Sequence, residues 1–257
     1  MLKLNYRCSQ RQLVISLDIF SEKESKVRLV AYDASRKNTK YMDRYNVFKG
    51  TNNFIIRLPQ SPELLTIVIT GNADSPLKIV KKEVTPLQTQ MSAWDFENKQ
   101  ISKFVMFAQQ FADRAGYLST GKYLDDTGTY EITYLPLIKA DQTGKELNTP
   151  ARINSATGTV QVSQKIFIQY TIPGRVAILL HEFCHVFANN DVHSEIEADF
   201  HAAQIYCALG YPRIEILHVF ANVFYKADTD LNKLRLNKLM EFVDQFDNRI
   251  TTVKYGK

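Results

Sequence analysis

The chain carries the run His181-Glu182-Phe183-Cys184-His185, and all five of its histidines fall between His181 and His218. Residues four apart on an α-helix lie on one face a turn apart, so the two imidazoles can reach a single Zn²⁺. Glu182 projects about 100° further around the helix, beside the metal's open position rather than in the ligand set. It can then act as general base toward a water that attacks a polarised carbonyl, which is the chemistry the H-E-x-x-H pattern carries.

The flanking residues support a helix there. Arg175-Val-Ala-Ile-Leu-Leu180 is an apolar approach, Pro173 suits the first turn, and Asn189-Asn190 suits the end. Leu179, Phe183 and Val186 fall on one stripe and Leu180 and Phe187 on the next, so the helix is apolar on most sides and should be buried. Cys184 should face away from the metal as a small core residue.

Catalytic zinc takes three protein ligands and keeps a fourth position open, so a third ligand is needed. The following segment, Asp191-Val-His-Ser-Glu195-Ile-Glu197-Ala198-Asp199, offers several. Ser194 with Glu197 forms a capping-box pattern, which predicts a second helix from Ser194 to about Leu209, ended by Gly210 and Pro212.

The pairing of His181-Glu-x-x-His185 with Glu195-x-x-Ala198-Asp199 resembles the gluzincin metallopeptidases. That resemblance implies His181, His185 and Glu195 as zinc ligands, Glu182 as base, and Asp199 as a carboxylate orienting a ligand histidine. Nine residues separate His185 from Glu195, a short connection that leaves two rivals open. In a tight helix pair centred near Val192, Asp199 would lie level with His185. Asp191 lies six residues beyond His185, where metzincin-like patterns place their third ligand, although Ala188 stands where those have glycine. His193 reads as a solvated turn residue, and His201 and His218 as surface or core histidines. Tyr206, Tyr211 and Arg213 are candidates for stabilising an oxyanion.

The elements that must position these groups divide into two regimes, with domain boundaries at 1–88 and 89–257. Residues 12–20, 26–33, 53–58, 64–70 and 77–84 read as short strands of an antiparallel β-sandwich without a histidine, suited to binding or assembly. A helical pattern follows from Met91 to about Leu118. Strands are expected over 127–138, 151–154 and 158–162, then the motif helix, then helices over 212–225 and 230–246. The whole predicts an α+β chain: an N-terminal sandwich followed by a zincin-like domain, with Gly158–Val162 as the edge strand that holds an extended peptide.

With 45% hydrophobic and 23% charged residues, the composition is that of an ordinary globular protein. A net charge of +5 is spread along the chain, which disfavours nucleic acid as a partner. Cys8, Cys184 and Cys207 are too few and scattered for a disulfide framework. The polar first ten residues do not resemble a signal peptide, and no apolar run reaches a membrane span, so a cytoplasmic location is expected. The leading expectation is a zinc metallopeptidase acting on a peptide or protein substrate. A β-sandwich joined to a small zincin is also similar in architecture to tailed-phage virion proteins, which implies the alternative of a zincin fold kept for assembly through the N-terminal domain.

Overall fold

The computed structural model describes residues 1–89, 99–188, 191, 193–225 and 229–255, the side chains of 99–100 and 247–255 excepted. The chain is α+β and divides into two compact units, Met1–Thr89 and Gln90–Lys257.

The first unit contains β1 (Leu2–Arg7), β2 (Leu13–Asp33), β3 (Arg36–Leu58), β4 (Leu64–Thr70) and β5 (Lys78–Pro86), all antiparallel and bonded into one sheet. β3 lines one side of β2 throughout, while β5 and β4 share the other side and β1 lies outside β4. The stretches 12–20 and 26–33, expected as separate strands, are one strand. The polar residues between them form a bulge at Ser21–Ser25, closed by a hydrogen bond between the two serine hydroxyls at 2.9 Å. On both sides of the bulge the same face is buried: Ile15, Leu17 and Ile19 before it, Val27, Leu29 and Ala31 after it. A bulge of this kind bends its strand while keeping the same face inward on both sides. β1 and residues 36–52 of β3 were not expected as strands. Both lie at the sheet's margins. Residues 43–52 of β3 include no buried residue and show little hydrophobic alternation, whereas β1 does alternate, with Leu2, Leu4 and Tyr6 on its more buried face.

Asp43 ties β2 to β3. Its carboxylate accepts from Arg28 Nε and Nη2 at 2.8 and 2.9 Å and from Lys40 Nζ at 2.7 Å. The Arg28 bonds, against the opposing effect of burial, hold the carboxyl below its ordinary range. A depressed carboxyl contributes stability above its unfolded value that is lost as pH falls through the folded one. Asp43→Asn is therefore expected to cost at most about 1 kcal/mol near pH 7, because Arg28 is substantially solvated, and nothing at strongly acid pH. Amide exchange of β2 and β3, followed against pH, checks this.

The second unit begins with α1 (Lys99–Arg114); residues 91–98 of the expected helix lie outside the described residues. Then come β6 (Gly121–Leu124), β7 (Glu131–Leu135), β8 (Ala151–Ile153), β9 (Val160–Ser163), the single turn α2 (Gln164–Phe167) and α3 (Ile172–Phe187). α4 (Glu195–Ala208), α5 (Arg213–Val219) with a π turn over Phe220–Phe224, and α6 (Asp230–Tyr255) complete it. No helix among the described residues is long and apolar enough to cross a membrane.

The sheet order is β6-β7-β9-β8, with only β7 and β9 parallel. β9, expected at the edge, is therefore interior, and β8 is the edge strand beside α3. Strand order is a long-range property: β8 enters between β9 and the open side, with only three residues to announce itself. Gly158, with φ +71°, makes the turn between β8 and β9; a Cβ there would stand 2.9 Å from the Phe187 ring.

α3 is buried from Ile172 to His185, as its all-round apolar surface predicts. Thr171 caps it by accepting from the Gly174 amide, with Pro173 in the first turn. Arg175 is fully buried, its guanidinium donating to the carbonyls of Ala112, Ile168 and Tyr170. On the α1 side Phe183 lies 5.6 Å from Phe104 and 6.3 Å from Phe107, centroid to centroid. This aromatic packing fixes the rotation of α3, and so the direction in which its histidines point.

Candidate metal centre

The last turns of α3 carry His181 and His185, and the first residue of α4 is Glu195. Ser194 caps α4 by accepting from the Glu197 amide at 3.3 Å, the capping role expected of it. Locking the helix start there sets Glu195 and, one turn on, Asp199 on the side facing α3.

Three donors converge. His181 Nε2 and His185 Nε2 are 3.2 Å apart; Glu195 places Oε2 3.5 Å from the first and Oε1 3.6 Å from the second. Four ligands about 2.1 Å from a common centre in a tetrahedron would be spaced about 3.4 Å, close to these separations. The cluster His181, His185 and Glu195 could hold a metal ion. Asp199 lies on the opposite side of the imidazole, with Oδ1 3.1 Å from His181 Nδ1. That nitrogen is buried and has no aligned hydrogen bond in this geometry. A metal on Nε2 would require the proton on Nδ1, where Asp199 stands ready to accept it, so the donor set fits the ion.

Charge follows from the same contacts. Burial lowers the His181 pKa, but Asp199 and Glu195 more than reverse this and bring it to about 9. Burial raises Glu195, and His181 and Arg235 outweigh it, leaving the carboxyl at about 2. Glu182 is pushed up by burial to about 7, with His181 pulling the other way. Its Oε2 accepts from the Ile153 amide at 2.9 Å, so edge strand β8 holds the carboxylate in place.

A cleft of about 570 Å³ opens over these residues; Arg152 and Ile153 of β8, His193, Val223, Phe224 and Arg235 are among those that line it with the cluster. The Phe224 ring lies 3.9 Å from the His181 ring and limits its rotation. Asp191 is not in the cluster; it accepts from the His193 amide in the turn. Cys184 sits in the apolar core. Tyr206 donates to the Pro212 carbonyl, Tyr211 accepts from Gln109, and Arg213 donates to the Val243 carbonyl; none lines the cleft. His218 lies beside Asn222, and neither it nor His201 lines the cleft.

Sequence reasoning missed three contributors: the Ile153 amide, Tyr225 and Arg235. The hydroxyl of Tyr225 donates to Asp199 Oδ2 at 2.8 Å, and Arg235 pairs with both Asp199 and Glu195. A carboxylate as buried as Asp199, with Glu195 one turn away, signals that some cation must approach it. Which cation would do so was not marked in the chain.

Comparison of this chain with protein-family models, with curated proteins and with solved structures returned no match. The functional reading therefore rests on the geometry of the site.

Proposed function

We propose that the second unit is a zinc-dependent metallopeptidase acting on peptide or protein substrates. The observation that carries this reading is the convergence of His181, His185 and Glu195, with the Glu182 carboxylate beside them in one cleft. Zn²⁺ bound there would act as a Lewis acid, polarising a carbonyl and lowering the pKa of a water to about 7. Glu182, held at Oε2 by the Ile153 amide, takes up the proton of the attacking water and delivers it to the leaving amine. Asp199 holds the proton of His181 on Nδ1 and leaves Nε2 as a ligand. β8 is an edge strand lining the cleft, and those of its outward backbone groups not engaged by Glu182 and Thr149 can pair with an extended substrate.

Two histidines and a carboxylate also suit Fe(II). Glu182 adjacent to the cluster favours zinc and hydrolysis, because an oxygenase has no use for a general base at that position. Metal analysis of the full chain purified without chelators is the test. One zinc per chain, lost in His185→Ala, is expected. Iron would replace the proposal with redox chemistry, and a metal-free protein would favour the assembly role.

A further inference from the structure

Glu195 and Asp199 stand one turn apart on the same side of α4, a spacing at which like charges repel. Both must stay ionised and turned toward α3 for the site to work. Glu195 in particular has room to leave, since its side chain is 47% exposed. Arg235 of α6, itself buried, bridges the two. Its Nη2 donates to Glu195 Oε2 at 2.8 Å and to Asp199 Oδ1 at 3.0 Å, while Nε donates to Asp199 Oδ2 at 2.7 Å. The Tyr225 ring lies 4.8 Å from the guanidinium carbon, so the fork is fixed in plane as well as in reach.

We infer that Arg235 is the positioning residue of the metal centre, one guanidinium setting both the third ligand and the carboxylate behind His181. The inference rests on the metal reading above. Arg235 adds a positive charge near the ion's place, which by itself opposes binding. Two carboxylates outnumber that charge, and without the bridge they would separate, with Glu195 turning to water. Holding both is a task for a planar fork: lysine keeps the charge but is a point donor on a flexible stem. α6 thus acts on the site from 40 residues beyond Glu195 in the chain without contributing a ligand.

The test measures Zn²⁺ affinity of the full chain by competition with a chromophoric chelator, so that no peptidase activity is needed. Arg235→Lys is expected to bind Zn²⁺ about 10–100-fold more weakly and to alter the visible spectrum of bound Co²⁺, which reports the ligand geometry. In an Asp199→Asn background the same substitution should cost much less, because the two act through shared bonds. Arg235→Gln, which retains an amide donor, is the second variant should the lysine form not fold. Unchanged Zn²⁺ affinity and an unchanged Co²⁺ spectrum in the folded variant would overturn the positioning role and leave the metallopeptidase proposal standing. An unmutated chain that binds no Zn²⁺ would overturn both.

Discussion

Glu182→Gln is expected to lower peptide hydrolysis by about 10²–10⁴-fold, the range carried by a positioned acid or base, while zinc stays at one per chain. Glutamine is nearly isosteric, and its side-chain oxygen can still accept from the Ile153 amide that holds Glu182 Oε2. The substitution removes proton transfer and leaves the ligands untouched. Its effect on folding has a definite sign. A carboxyl raised to about 7 in the folded chain binds protons more tightly there than in the unfolded chain, so it lowers stability progressively as pH rises from about 4.5 through 7. The metal-free glutamine variant should therefore melt no lower than the unmutated chain at pH 8. Measured together, lost turnover, retained zinc and an unreduced melting temperature would separate a base from a structural residue. Full turnover with zinc bound would remove Glu182 from the mechanism.

The second large effect belongs to the third ligand. Glu195→Ala is expected to weaken Zn²⁺ binding by more than about 100-fold, since it removes one of three protein ligands. Asp199→Asn should cost about 10–100-fold, as a partner of a ligand rather than a ligand. Asp191→Asn should leave affinity unchanged, because Asp191 is engaged with the His193 amide in the turn. The order of these three, obtained by one competition titration, distinguishes the geometries that the spacing of the chain left open. A larger loss in Asp199→Asn than in Glu195→Ala would exchange their roles.

Two histidines four residues apart meet on any α-helix, and the apolar run before them called for burial; both features follow from local periodicity. The start of α4 was equally legible, because a serine cap bonds within its own turn. Such features depend on residues close in the chain, so their physics is contained in a short stretch of sequence. The N-terminal strands were read less completely. The bulge at Ser21–Ser25 resembles a break when its polar residues are seen alone, and the outer part of β3 buries too little to show alternation.

The sequence by itself determined the helix that carries His181, Glu182 and His185, the cap that places Glu195 and Asp199 on one side of α4, and the α+β character of the chain. The tertiary structure decided which carboxylate faces the imidazole Nε2 atoms and which faces Nδ1. It also decided that β8 rather than β9 lies at the edge, and that an arginine of α6 bridges the two carboxylates. Each depends on the rotation and register of one element against another. Those are set by side chains far apart in sequence, such as Phe104 against Phe183 and Arg235 against Asp199, whose contacts exist only once the core has closed.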